Sequence, residues 1–225
     1  MRMTNVEIPL WLFTGMTPDR RIYTRLLPLL PNASVVPWIT PRANEPLQRY
    51  AERLSESLAE GGPCYVGGTS FGGIIAQEVG RLVSARGCFL ISSVRSPREM
   101  PPQLRVWRHL PVRHSDSVLS CVGSLARLYP GRLRSAVTMR LAKFAGDKGT
   151  WHRWATTAVL GWRPDTRPCN IPIFHIHGGA DTTFPIRYVK PDIMIAGGGH
   201  ILPLTHPEEV AAHLTMAMAR FSGTA

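Results

Sequence analysis

Apolar runs of strand length alternate with helical segments along most of this chain, and that alternation leaves few ways to fold. The first run, residues 6–13, ends at Thr14-Gly15. Residues 34–39, 63–69 and 88–94 repeat the strand pattern, and residues 171–177 and 192–196 take it up again late in the chain. Between them lie helical segments. Residues 45–60 carry Leu47, Tyr50, Leu54 and Leu58 on one stripe before Gly61-Gly62, and residues 71–85 carry Ile75, Val79, Leu82 and Val83. Thr17-Pro18-Asp19 has the form of a helix start, with Thr17 as N-cap and Pro18 in the first helical position; Ile22, Leu26 and Leu29 would form its apolar face, and Pro28 should end or kink it near Leu27. Thr205 and Glu208 have capping-box spacing ahead of a last helix that buries Val210, Leu214, Met218 and Phe221. Strands separated by helices predict an α/β fold, with a parallel sheet joined by right-handed crossovers and covered on both faces.

The alternation breaks across residues 95–168. Helical stretches at 117–129 and 131–145, a tryptophan-rich patch of Trp151, Trp154 and Trp162, and the interruptions Pro101-Pro102, Pro130-Gly131 and Arg163-Pro164 fill this segment. The expectation is a core built from residues 1–94 and 169–225, with residues 95–168 inserted as a helical cap.

Composition narrows the class. With 225 residues, of which 44% are hydrophobic and 18% charged, the chain can bury one full core and is not disordered. Cys64, Cys88, Cys121 and Cys169 are far apart and form no CxxC pair, which argues against a zinc site or a disulfide framework. The formal charge is +11, but no basic run exceeds two residues and no aromatic–basic repeat occurs. A solvated basic surface is therefore expected rather than a nucleic-acid partner, with an anionic substrate as the alternative. The apolar stretch at residues 8–13 is too short for a signal-peptide core or a membrane span, so a soluble cytoplasmic protein is expected.

The chemistry concentrates at Gly67-Gly68-Thr69-Ser70-Phe71-Gly72-Gly73, where Gly68-x-Ser70-x-Gly72 lies at a strand-to-helix junction. A serine there sits on a sharp turn with its hydroxyl above the carboxyl edge of the sheet, and the amide dipoles of the helix behind it face any anion that forms. A serine hydroxyl needs a base. His200, after the last strand and the loop Gly197-Gly198-Gly199, can swing over the same edge. His206 is expected as a solvated residue of the last helix, and His109, His114 and His152 could at most line an entrance. The base needs an orienting acid. Asp181, in His177-Gly178-Gly179-Ala180-Asp181, follows its strand, whereas Asp165 precedes one strand and Asp192 begins another. Two backbone donors are needed for an oxyanion; the expected ones are the N–H of Phe71, directly after the serine, and, from the loop Thr14-Gly15-Met16, that of Met16. No metal or other cofactor is called for. His175 and His177 share a strand face, and a core or edge position suits them better than a metal site.

These pieces, together with Leu12-Phe13-Thr14-Gly15-Met16 and Gly197-Gly198-Gly199-His200, resemble the small bacterial α/β-hydrolases. The likeness runs from the first strand to the last helix and leaves out the insertion. It implies the order Ser70, Asp181, His200 as nucleophile, acid and base. Two departures stand out. Thr14 occupies the position of the family's usual histidine before the oxyanion glycine, and the opening antiparallel hairpin of larger members is missing, which leaves about six strands. The resemblance implies hydrolysis of a carboxylic ester of a small or medium acyl group through an acyl-enzyme, with a small-molecule ester as partner and the Trp and Leu side chains of the insertion forming an apolar pocket. A thioesterase, a lactonase, a C–C bond hydrolase and a slowly turning-over ligand-binding protein are the alternatives.

Overall fold

The computed structural model describes residues 8–58, 62–102, 104, 149–164 and 170–223. Six strands form one sheet: β1 (Leu10–Phe13), β2 (Ala33–Val35), β3 (Tyr65–Thr69), β4 (Gly87–Ile91), β5 (Ile173–Gly178) and β6 (Ile193–Ile195). Their spatial order is β2-β1-β3-β4-β5-β6, and every neighbouring pair is parallel. The helices are α1 (Leu47–Glu56), α2 (Phe71–Leu82), α3 (Gly149–Gly161), α4 (Leu202–Thr205) and α5 (Pro207–Ser222).

Strand periodicity divides the core into two layers. Phe13, Val66, Cys88 and Leu90 face the layer of Tyr50, Leu54, Ile75 and Val79 from α1 and α2, which Trp154 and Val159 of α3 join. Leu10, Leu12, Tyr65, Phe89, Phe174 and Ile176 face Val210, Leu214 and Ala217 of α5. The sheet is thus buried on both sides, as parallel sheets require. Cys64 and Cys88 are buried. Among the described residues no helix is long and apolar enough to cross a membrane.

Several boundaries differ from expectation, each for a local reason. Instead of a helix from Thr17, two 3-10 turns form, Arg20–Tyr23 and Leu27–Leu29. Asp19 rather than Thr17 is the cap, its carboxylate accepting from the Arg21 amide at 3.0 Å, and Pro28 prevents a longer helix. The Tyr23 hydroxyl donates to the Phe13 carbonyl at 2.8 Å and lies 2.9 Å from Thr69 Oγ1, tying together the carboxyl ends of β1 and β3. Strand β2 stops short because Pro37 has no amide to follow the bond from Val36 N–H to the Leu12 carbonyl. Helix α1 starts at Leu47, after an extended Pro46.

The expected capping box does not form. Thr205 ends α4, and its hydroxyl donates back to the Ile201 carbonyl at 3.1 Å; His206 and then Pro207 open α5. Proline in the first position carries no N–H to be capped. Within the expected insertion, residues 95–102, 104 and 149–164 are described; the helical stretches at 117–129 and 131–145 lie outside the described residues. Helix α3 sits on α1 and α2, and the indole N–H groups of its Trp151 and Trp154 and of Trp162 just after it bond to residues outside the expected insertion: Trp151 to the Met16 carbonyl at 2.7 Å, Trp154 to the Glu45 carbonyl at 2.8 Å and Trp162 to Glu78 Oε1 at 2.7 Å. The tryptophan patch therefore docks this helix to the core.

Candidate active site

Ser70 occupies the single residue between β3 and α2, with φ 57° and ψ −121°. Positive φ strains a residue with a Cβ, and the surroundings hold it there. Its N–H donates to the Ile91 carbonyl at 3.0 Å, and its own carbonyl accepts from Gly73 N–H at 3.0 Å and from the Ser93 hydroxyl at 2.6 Å. The flanking glycines permit the sharp turn. A Cβ on Gly68 would lie 2.3 Å from the Gly72 carbonyl carbon, and one on Gly72 would lie 2.2 Å from the Phe13 carbonyl oxygen. Strand, helix and the end of β1 touch backbone to backbone.

Phe71 opens the 12-residue helix α2, so its N–H is one of the groups that no intrahelical carbonyl can take. The loop after β1 runs alongside: a Cβ on Gly15 would be 3.7 Å from Ser70 Cβ. Thr14 is buried, and its hydroxyl accepts from the Trp38 indole at 2.7 Å.

Asp181 sits in the turn after β5, and His200 in the loop after β6. Backbone bonds join the two loops: Gly179 N–H to the Ile195 carbonyl and Ala180 N–H to the Gly198 carbonyl, both at 2.9 Å. The His200 Nδ1 to Asp181 Oδ2 distance is 2.8 Å, with the carboxylate fully buried and the imidazole 23% exposed. The other oxygen, Oδ1, accepts from the amides of Thr183 at 2.7 Å and Phe184 at 3.0 Å. Burial alone would raise the Asp181 pKa, but the His200 bond and charge and the two amides outweigh it, and the pKa falls below the ordinary carboxylate value. A carboxylate held ionised against Nδ1 keeps the hydrogen on that nitrogen and leaves Nε2 of a neutral ring free to accept a proton.

The other candidates fall elsewhere. Asp192 is engaged by the Arg95 guanidinium and accepts from the His175 amide at 2.7 Å. Asp165, His109 and His114 lie outside the described residues. His152 is buried on α3, not open at an entrance, and His206 Nδ1 lies 2.8 Å from the Thr205 hydroxyl. Among the described residues no three His, Cys, Asp or Glu side chains gather as a metal-ligand set.

His175 and His177 lie in the core, one of the two positions the sequence suggests for them; how they bond is not legible there. Behind Asp181, His177 and His175 form a fully buried pair, with His175 Nε2 3.1 Å from His177 Nδ1. His177 Nε2 is 2.8 Å from the Phe184 carbonyl and 3.4 Å from Asp181 Oδ2. A carbonyl only accepts, so Nε2 carries the hydrogen; in a neutral ring Nδ1 then accepts from His175 Nε2–H. This leaves His175 Nδ1 as a buried acceptor with no partner among the described residues. The only signal in the sequence was two histidines two apart on a strand.

Burial and the charges of His177 and Arg95 push the His175 pKa down to about 3. The native state therefore refuses a proton that the unfolded chain takes up near pH 6.5. The stabilisation is complete above pH 6.5 and is lost as pH falls toward 3. Between pH 7 and pH 5 unfolding should become easier by about 2 kcal/mol from this residue alone. Urea titrations at the two pH values test it: His175→Phe should flatten the pH dependence, and an unchanged slope would contradict the assignment.

Comparison with known proteins agrees with this architecture. Residues 11–213 match the model of the alpha/beta hydrolase family. Among solved structures, a thermophilic esterase from Thermogutta terrifontis superposes with a TM-score of 0.58 at 19% identity, covering 95% of this chain and 90% of its own. The haloalkane dehalogenase DbeA from Bradyrhizobium elkani gives 0.62 at 15% identity, with coverages of 98% and 93%. The RedJ thioesterase of the prodiginine pathway in Streptomyces coelicolor gives 0.56 at 19% identity, with coverages of 92% and 84%. No curated protein matches the sequence. At these identities the likeness to the solved structures is one of fold. The match over residues 11–213 and the six-stranded parallel sheet place this chain in the alpha/beta hydrolase family.

Proposed function

We propose that the protein cleaves a carboxylic ester of a small or medium acyl group through an acyl-enzyme, with Ser70, His200 and Asp181 as nucleophile, base and acid. The observation that carries this reading is the 2.8 Å bond between His200 Nδ1 and the buried Asp181 carboxylate. That bond belongs to loops at the same sheet edge as the strained Ser70 turn. Ser70 Oγ attacks the ester carbonyl carbon as its proton passes to His200 Nε2, and Asp181 stabilises the resulting imidazolium. The negative charge on the former carbonyl oxygen is met by the N–H groups of Phe71 and Met16. The intermediate collapses, the alkoxide leaves with the proton from His200, and the acyl group stays on Ser70. Water then attacks the acyl carbon as its proton passes to His200, and when the second intermediate collapses the bond to Ser70 Oγ breaks, Oγ takes the proton back from His200 and the acid departs.

Residues 95–168 serve in this reading as a helical cap over that edge, docked through α3. A thioester substrate is the second reading; the net charge of +11 favours an anionic carrier such as the phosphates of CoA. Hydrolysis of p-nitrophenyl acetate and butyrate, compared with acetyl- and butyryl-CoA, tests both. Release of p-nitrophenol with a lower kcat/KM for the thioesters is expected. A preference for the thioesters would replace the ester by the second reading, and no turnover of either class would contradict the hydrolase reading.

A further inference from the structure

We propose that Trp151 is a positioning residue for the oxyanion loop, so that docking of α3 from the insertion completes the catalytic geometry; the inference rests on the hydrolase reading above. The second oxyanion donor, Met16 N–H, belongs to a short loop that lacks the family's histidine and carries a glycine just before it. Such a loop needs anchors to hold a donor within a few tenths of an ångström. It has one on each side of that N–H. Before it, the Trp38 indole donates to the Thr14 hydroxyl at 2.7 Å. After it, the Trp151 indole donates to the Met16 carbonyl at 2.7 Å. The Thr156 hydroxyl, also on α3, adds a 3.7 Å contact to Met16 Sδ.

The two indoles form one assembly. Their ring centroids are 5.1 Å apart, and those of Trp38 and Trp151 lie 5.7 Å and 6.3 Å from the ring of Phe71, whose N–H is the other donor. One cluster of tilted and edge-on rings therefore reaches both halves of the oxyanion hole. Trp38 follows β2 in the chain and packs on Phe13 of β1, while Trp151 arrives only with α3. Displacing α3 removes the anchor on the Met16 side, so the placement of the insertion bears on the rate of chemistry and not only on access to the site.

The same helix supplies its own control. Trp154, one turn further on, also donates its indole N–H to a backbone carbonyl, but to that of Glu45, at 2.8 Å. Trp151→Phe and Trp154→Phe each keep a ring and lose one such bond. With p-nitrophenyl butyrate, Trp151→Phe should lower kcat about 10-fold with KM within about twofold, less than the ~10²-fold loss expected when a donor is removed outright. Trp154→Phe should leave kcat within about twofold of wild type. Amide hydrogen exchange gives a readout independent of activity: a peptide covering residues 12–18 should exchange faster in Trp151→Phe and at the wild-type rate in Trp154→Phe. Should Trp151→Phe not accumulate as folded protein, Thr14→Val releases the other anchor at similar volume and serves the same comparison. Equal effects of the two tryptophan variants, or no change in exchange at residues 12–18, would overturn the inference. Turnover that survives Ser70→Ala would instead overturn the hydrolase reading beneath it. Turnover lost in Ser70→Ala but unchanged in Trp151→Phe would overturn the positioning role alone.

Discussion

Ser70→Ala is expected to lower kcat for p-nitrophenyl butyrate by at least about 10⁴-fold while leaving the thermal midpoint within about 2 °C of wild type. The two halves of this expectation have separate causes. Without the hydroxyl no acyl-enzyme can form, and the oxyanion donors and binding alone retain only residual catalysis. The fold does not depend on that hydroxyl. The hydrogen bonds that hold the turn use the backbone of Ser70, from its N–H to the Ile91 carbonyl and to its carbonyl from Gly73 and Ser93. Alanine keeps the Cβ and hence the strain of φ 57°. Kinetics and a thermal melt on the same preparation check both halves. A variant with wild-type turnover would show that another group does the chemistry, and an unfolded variant would show that the hydroxyl is a packing element.

The converse holds at Gly72, where substitution should unfold the protein before any question of activity arises. A Cβ there would lie 2.2 Å from the Phe13 carbonyl oxygen and 2.3 Å from that of Thr14. Both are backbone atoms at the end of β1, a strand paired on both sides, so neither can yield as a side-chain tip could. The clash forces α2 off the sheet, at a loss on the order of 4 kcal/mol or more, out of a typical total of about 5–15 kcal/mol. Gly161, at the end of α3, provides the contrast, since a Cβ there meets nothing within 4 Å. Gly161→Ala should be neutral or stabilising by up to about 1 kcal/mol. Urea denaturation of both variants tests the pair; a Gly72→Ala protein with wild-type stability would contradict the close approach on which the Ser70 turn depends.

The architecture was legible in the sequence because period and punctuation carry it. Each of the six strands lies within or beside an apolar run, and the helices α1, α2 and α3 that separate β2, β3, β4 and β5 favour parallel pairing. The turn at Ser70 was legible for a related reason: close backbone approach demands glycine, and glycine marks itself in a sequence. Long-range side-chain bonds leave no such mark. Nothing in the spacing of Thr14 and Trp38 says that one accepts from the other, and the tryptophans of the insertion could equally have lined a pocket. The buried pair His175 and His177 was visible as a strand pattern, but its tautomers follow only from the Phe184 carbonyl facing Nε2. Local competition accounts for the displaced boundaries. Asp19 caps the first turn by accepting from the Arg21 amide, and Thr205 is drawn into α4, where its N–H and hydroxyl both donate to the Ile201 carbonyl instead of joining a capping box with Glu208.

The proposed chemistry depends on one serine being activated by its surroundings. The most direct measurement is reaction with a fluorophosphonate probe followed by peptide mapping, on the wild-type protein and on His200→Ala. A single phosphonyl adduct on Ser70, formed rapidly in the wild type and suppressed in His200→Ala, is the predicted result. An adduct on a different serine, or no labelling of the folded wild-type protein, would contradict it.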